Sequence, residues 1–343
     1  MKRIIIHKPG GFDALKLETS ADPIPQAGEV CIEAHAIGVN FADCVVRMGL
    51  YSSAARYVGW PITPGFELSG VVTQVGADVR DFKVGDRVIG LTRFGAYASH
   101  VCVPQTQVFV IPEQLSMLEA GAFSTVSLTA WYALNECSRL RPGSRVLIHS
   151  AAGGVGSAAV QIAKSMGCFV VGVVGASHKV EAARALGADV VIDKSTTDLW
   201  AAAKEHGGDG YQSILEANGV DTLRKSYAHL RPTGRVVIYG FQSMMTRGSG
   251  RPNWLKLAWD YLRMPRFNPL WMTDANKGVV AFNLSYLFAE TAMLHEAMTP
   301  LLNLVTSGRL RVPKVTSFPL ERARDAHEAL QTGQTVGKLV LVP

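Results

Sequence analysis

The sequence predicts an α/β protein in two parts, a β-rich first domain and a doubly wound parallel sheet. Three observations carry this. The chain has 343 residues, more than the roughly 100 to 200 of one typical domain. Its first third alternates short β-type runs with Gly, Pro and Asp turns. Its middle alternates strand segments with helical ones, and strands apolar on both faces belong to a parallel sheet covered on two sides.

Through residue 125 the β-type runs are EVCIEAHAIG, SGVVTQVG, GDRVIGL and AYASHVCVP, spaced as in a compact β domain. After Pro112 the pattern changes. The stretch LSMLEAGAFSTVSLTAWYALNEC places apolar residues three and four apart, which predicts a helix ending before the turn RPGSR. Strands are then expected at 145–149, 169–174, 190–192, 213–216 and 235–239, with helices between them at 155–166, 178–186, 197–206 and 221–230. Residues 241–277, rich in Met, Trp, Arg and Pro, carry no clear strand signal. A sixth strand is expected at 277–282, and a terminal helix with GKLVLVP is expected to return to the first domain.

Composition narrows the function classes. With 48% hydrophobic and 18% charged residues, the chain has ample material for large cores and is not a disordered one. A net charge of +6 without any long basic run attracts phosphate groups but names no specific nucleic-acid partner. The five cysteines, at 31, 44, 102, 137 and 168, are odd in number and include no C-x-x-C pair, so neither a zinc lobe nor a disulfide framework is suggested. A cytoplasmic location is expected. The opening MKRIIIHKPGG has only three consecutive apolar residues, too few for a signal peptide, and nothing approaches the ~20 apolar residues of a membrane span.

The strongest chemical signal is HSAAGGVGSAAVQIAK, between the expected strand RVLIH and an amphipathic helix. Read against G-x-G-x-x-G, it places Ala151, Gly153 and Gly156 at the three positions. Gly153 lets a pyrophosphate approach the backbone, Gly156 lets helix pack on strand, and the helix N-terminus offers free N–H groups. The turn residues Ala152, Gly153, Gly154, Val155 and Gly156 are therefore candidate dinucleotide contacts. Enzymes that use NAD place an Asp or Glu at the end of the second strand. Here that place holds Gly175, Ala176 and Ser177, with Lys179 and Lys194 nearby. Ser177 and the two lysines suit a 2′-phosphate, so NADPH is the expected cofactor. Asn218, Gly240 and Phe241 follow later strands, at the carboxyl ends where open α/β sheets bind ligands.

With these pieces in place, the sequence resembles the medium-chain dehydrogenase/reductase superfamily over nearly its whole length. It looks most like the zinc-independent quinone oxidoreductases, the zeta-crystallin-like branch. The matching stretches are AIGVNFADCVVRMGLY, PGFELSGVVTQVG, FKVGDRV, SLTAWYAL, the AAGGVG turn and GKLVLVP. YGFQSMMTRGSGRPNWLKLAWDYLRMPRFNPLWM is similar to one subgroup, the vesicle amine transport protein homologues. The resemblance implies a GroES-like catalytic domain from residues 1–125 and 283–343 and a Rossmann NADPH-binding domain over 126–282. A homodimer is also implied. In zinc-dependent members, Phe66 is replaced by histidine and Asn40 by cysteine, both ligands, so no metal is expected here.

A reductase of this kind needs an acceptor that is already electrophilic, a quinone or an α,β-unsaturated carbonyl, with the protein supplying orientation and hydrogen-bond donors. By resemblance, Asn40 and Tyr51 are the candidate catalytic donors. Asp43 orients its loop, and Thr129, Phe282, Leu284, Lys338 and Asn40 again are candidate cofactor contacts. Thr129 has the alternative of a helix hydroxyl bonded to the preceding turn, and Lys338 that of an exposed lysine. The competing function is a NADPH-binding protein with a membrane-associated or regulatory role and little turnover. It draws on the amphipathic segment NWLKLAWDYLR with Arg247, Arg251 and Arg266 nearby; the helix has the alternatives of covering the substrate cleft or packing on a partner subunit, and burial within the protein is the expected outcome. Glu67, between Phe66 and Gly70, is read as a buried structural carboxylate awaiting a basic group or backbone N–H.

Overall fold

A computed structural model describes residues 1–343 except Arg247 and Ser249. The sequence reading that involves Arg247 therefore lies outside the described residues. Strands β1 (Lys2–Ile5) and β2 (Lys16–Thr19) pair antiparallel. The β-rich half then runs through β3 (Glu29–Val39), helices α1 (Phe41–Arg47) and α2 (Ser52–Tyr57), β4 (Glu67–Val75), β5 (Arg87–Leu91), β6 (His100–Pro104) and β7 (Val108–Val110).

The single helix expected at 115–137 is broken into α3 (Met117–Gly121), α4 (Ser124–Trp131) and a π-helical turn, Tyr132–Glu136. Packing explains the break. Ser116 and Glu119 cap α3 reciprocally, and a Cβ on Gly121 would stand 2.6 Å from the Ala36 carbonyl oxygen, so α3 lies hard against β3 before the chain turns into α4.

The doubly wound half alternates β8 (Arg145–Ile148), α5 (Gly154–Ser165), β9 (Phe169–Val174), α6 (Val180–Ala185), β10 (Val190–Asp193), α7 (Leu199–Gly207), β11 (Tyr211–Glu216), α8 (Leu223–Ala228) and β12 (Leu230–Ile238). Helices α9 (Trp254–Arg263) and α10 (Pro269–Ala275) precede β13 (Gly278–Ala281), the expected sixth strand. The strand order is β10-β9-β8-β11-β12-β13, all parallel. Alternate residues face opposite layers: Val146, Ile148 and Val237 join one core, Leu147, Ile214 and Val236 the other. This two-sided burial is the origin of the unbroken apolar runs in the sequence.

After α11 (Thr291–Thr306), the chain forms β14 (Val315–Pro319), α12 (Ala323–Gln331) and β15 (Lys338–Val342). As expected, GKLVLVP returns to the first half: β15 pairs antiparallel with β3, Leu339 opposite Val39. The resulting seven-stranded sheet has the order β14-β15-β3-β4-β5-β7, with β6 on β3.

The structure corrects the reading of α9. Its apolar side is not buried against its own chain: Leu255 is 86% exposed, Trp254 68%, Trp259 61% and, in α10, Trp271 71%. The polar side turns inward instead. Asp260 is 3% exposed and is neutralised by Lys256 and Arg263, while the Lys256 ammonium also donates to the Ser243 carbonyl. Pairing offsets much of the cost of burying Asp260, which lets the helix sit polar side down. No helix among the described residues is long and apolar enough to cross a membrane.

Candidate active site

The glycine turn stands where the sequence places it, between β8 and α5. A Cβ on Gly156 would lie 2.1 Å from the Ser150 carbonyl oxygen, so this glycine is required for strand–helix packing. A Cβ on Gly153 would meet only that same residue, its carbonyl oxygen at 3.3 Å; the rest of its surroundings are open. Gly154 is packed by Val126 and by the Lys338 stem, which would lie 2.9 and 3.5 Å from a Cβ there. The Ala152 carbonyl accepts from the Gly337 N–H at 3.0 Å, and Gly153 forms a one-residue bridge with Gly337. The returning chain is thus fastened across the turn, directly ahead of Val155 and the first free N–H groups of α5.

At the end of β9, Gly175 and Ser177 are exposed. The Ser177 hydroxyl donates to Asp193 at 2.6 Å, an acid from the end of β10 that the sequence pattern did not single out. Lys179 donates to the Gly333 carbonyl at 2.6 Å, which ties this corner to the loop before β15. Lys194 passes over Gly175, its Cε 3.6 Å from where a Cβ would stand.

The remaining candidates divide by contact. Asn218 Nδ2 is buried and has no hydrogen-bond partner among the described residues, while the Asn218 backbone N–H donates to Glu216 at 2.8 Å. Gly240 packs on Ala217, and Phe241 crowds Gly219. Phe282 lies tilted against Tyr132 with ring centres 4.8 Å apart, and Leu284 is buried. The Thr129 hydroxyl donates to the Thr125 carbonyl at 2.7 Å, the helix bond open to it, and this leaves its oxygen able to accept.

The centre of the site is a buried trio. Lys338 Nζ donates to Asn40 Oδ1 at 2.6 Å and to Glu67 Oε1 at 2.8 Å, and Asn40 Nδ2 donates to the same Glu67 oxygen at 3.0 Å. A cation on one end and a carboxylate on the other fix the orientation of the Asn40 amide. The other Glu67 oxygen accepts from Ser124 Oγ at 2.8 Å and Thr125 N–H at 2.7 Å. Gly38 leaves the room: a Cβ there would stand 2.3 Å from Glu67 Oε1. Burial alone would raise the Glu67 pKa, but the Lys338 charge and these donors hold it below the usual carboxylate range. Lys338 is only 4% exposed, which removes its surface-lysine reading.

Asp43 forms the floor. Its carboxylate accepts from the N–H groups of Asn40 at 2.8 Å and Gly65 at 3.0 Å and from the Tyr97 hydroxyl at 3.2 Å, the loop-orienting arrangement expected of it. Burial pushes its pKa up to about 7. The Tyr97 hydroxyl also contacts His327 Nε2 at 3.1 Å. The Tyr51 hydroxyl donates to Asn283 Oδ1 at 2.8 Å, and burial raises its pKa to about 12, so it remains a neutral donor. Phe66 packs in an aromatic wall with Phe94 at 5.2 Å, Tyr51 at 5.9 Å and Phe288 at 6.2 Å. Phe66 has no donor atom for a metal. A second network, with no signal in the sequence, lies under the turn, where Glu216 accepts from Thr222 and Ser226 and faces His149 at 3.5 Å.

Comparison with known proteins agrees with this geometry. Residues 26–113 match the family model described as alcohol dehydrogenase GroES-like domain, and residues 154–257 match that described as zinc-binding dehydrogenase. The human synaptic vesicle membrane protein VAT-1 homolog is 36% identical over 97% of this chain and 84% of its own length. A 2-haloacrylate reductase from a Burkholderia species is 33% identical over 99% of this chain and 98% of its own. The crystal structure of Escherichia coli quinone oxidoreductase complexed with NADPH superposes with a TM-score of 0.87 at 31% identity, covering 100% of both chains. The chain belongs to the medium-chain dehydrogenase/reductase family, with a GroES-like domain joined to a Rossmann-type parallel sheet.

Proposed function

We propose that this protein is an NADPH-dependent reductase of quinones or of alkenes activated by a conjugated carbonyl. One observation carries the reading: the Lys338 stem lies on Gly154 of the glycine turn while its ammonium holds Asn40, so one side chain couples the dinucleotide turn to the polar centre of the cleft. The residues present fit NADPH. Gly153 is open to a pyrophosphate, Asn218 Nδ2 is a buried donor unused among the described residues, and Ser177, Lys179 and Lys194 are the proposed partners of the 2′-phosphate. Thr129, Gly240, Phe241, Phe282 and Leu284 complete the proposed set of contacts. The similar E. coli quinone oxidoreductase was crystallised as a complex with NADPH, and the Burkholderia relative is a reductase of 2-haloacrylate, an alkene conjugated to a carboxylate.

Bound NADPH supplies the hydride. The chain supplies the Asn40 amide, locked in orientation with only a long 3.5 Å bond on its second N–H, and the neutral Tyr51 hydroxyl, whose proton turns from Asn283, as donors to the negative charge that develops on the acceptor oxygen. The aromatic wall of Phe66, Phe94 and Phe288 receives a flat, apolar acceptor and excludes water from it. The test is oxidation of NADPH against a panel of quinones, enones and 2-haloacrylate, with NADH in parallel. Acceptor-dependent turnover with a preference for NADPH supports the reading. Tight NADPH binding with no turnover on any acceptor overturns it in favour of a nucleotide-binding protein without reductase activity.

The reading includes a homodimer. β13 closes one edge of the parallel sheet, with no outer neighbour among the described residues, and its backbone groups are free to pair. Helices α9 and α10, immediately before it in the chain, carry the exposed Trp254, Leu255, Trp259 and Trp271. A second copy of the chain extends the sheet and covers this apolar face together. Light scattering on Trp259→Glu tests this: a dimer that becomes monomeric is expected. A wild-type monomer that sediments with anionic vesicles replaces the second copy with a lipid surface.

A further inference from the structure

The pattern L-R-P-x-x-R-V occurs twice in the chain, as LRPGSRV at 140–146 and LRPTGRV at 230–236. The first copy leads into β8 and the second forms the start of β12, and both strands pair with β11. The two copies therefore flank the start of β11. They lie at the end of the sheet opposite the glycine turn, separated from it by the four residues of β8, about 13 Å of extended chain.

Between the two copies is a groove of about 660 Å³, lined chiefly by Arg139, Arg141, Arg231, Arg235, Gln212 and Thr233. No carboxylate lines it, and among the described residues none of the four arginines forms an ion pair. Arg235 is anchored by a 3.0 Å bond from Nη1 to the Cys137 carbonyl; Arg139, Arg141 and Arg231 are exposed. Like charges so gathered repel one another unless an anion joins them.

The backbone is also bent to make the groove. From Tyr211–Leu230 to Ser213–Arg235, β11 advances two residues while β12 advances five. The extra residues bulge outward and carry Arg231 and Thr233 with them. Thr233, at φ 70°, and Arg139, at φ 52°, both take the left-handed conformation, which is disfavoured for a β-branched residue above all. Thr233 is held there at both ends, its N–H on the Asn276 carbonyl and its own carbonyl on Gln212 Nε2. Strain maintained in this way is characteristic of ligand sites.

We propose that this groove binds a small soluble anion bearing several phosphate groups, at a site separate from the cofactor cleft. Arginine forks match phosphate oxygens, Gln212 and Ser144 add neutral donors, and the volume suits a ligand up to nucleotide size. The proposal stands on its own observations whether or not the protein reduces quinones.

The experiment is calorimetric titration of the full chain with inorganic tripolyphosphate, in saturating NADPH so that the glycine turn is not available to the probe. One saturable site is expected, weakening with added salt. Arg141→Glu with Arg231→Glu should weaken it at least about tenfold while the melting temperature and NADPH affinity stay at wild-type values; Arg141→Gln with Arg231→Gln should give the same direction if the charge reversal impairs folding. Absence of saturable binding to the wild type, or equal binding by both double variants, overturns the proposal.

Discussion

Two carboxylates meet at Asn40 and are treated in opposite ways. Glu67 holds the side-chain amide and Asp43 the backbone N–H, and both are fully buried. Glu67 has Lys338 in direct contact and keeps its charge, its pKa below the ordinary range. Asp43 has only dipolar donors in contact, with Lys338 acting through space, and its pKa climbs to about 7. Three hydrogen bonds do not replace one touching cation when the medium is dry. The first site stores charge and the second holds a loop near the point of neutrality.

The largest test of this contrast removes the cation. Lys338→Met leaves Glu67 buried and unpaired, a loss of about 3–5 kcal/mol in denaturant unfolding, and Glu67→Gln added to it should recover part of that loss. A double variant as unstable as Lys338→Met alone would break the comparison. Glu67→Gln by itself should cost about 1–3 kcal/mol and lower stability more than the rate per folded molecule. A folded, NADPH-binding but inactive Glu67→Gln would instead make Glu67 part of the proton path.

The two carboxylates also predict opposite pH dependence. A lowered folded pKa means that the Glu67 contribution is present above the ordinary carboxylate range and lost as pH falls through the folded value. A raised folded pKa means that the Asp43 contribution is full in acid and lost as pH rises from its ordinary value of 3.8 to about 7. Melting curves of Asp43→Asn against wild type should therefore diverge most at low pH, by about 1–3 kcal/mol, and those of Glu67→Gln most near neutrality. Tyr51 supplies the smallest effect and the control. With its pKa at about 12 it stays neutral across both ranges, so Tyr51→Phe should lower turnover by about tenfold, one lost hydrogen bond to developing charge, without altering the shape of either pH profile.

The two-sided parallel sheet was legible because burial on both faces writes itself into consecutive residues such as FVVGVV. The glycine turn was legible because Gly156 has no steric alternative. The pairing of Glu67 with Lys338 was not, since 271 residues separate them and only the antiparallel docking of β15 on β3 brings them together. His149 and Glu216 meet for a similar reason, through the parallel pairing of β8 with β11. In α9, spacing revealed two faces but not which one the protein would keep. That choice rests on Lys256 and Arg263 neutralising Asp260, a balance of charge that a hydrophobic pattern does not record. Thr129 had both readings open, and its bond to Thr125 is compatible with either, since the hydroxyl oxygen can still accept.

The span between Glu67 and Lys338 also orders events in time. During synthesis Glu67 is made 271 residues before its counter-ion, while every strand of the parallel sheet, β8 to β13, is complete before Lys338 appears. The parallel sheet therefore has all its strands in hand while the β-rich sheet still lacks β14 and β15, and domains fold as units as their segments become available. Docking of β15 neutralises Glu67, orients Asn40 and lays Gly337 across the glycine turn, so the cleft is complete only when the two distant parts of the chain are joined.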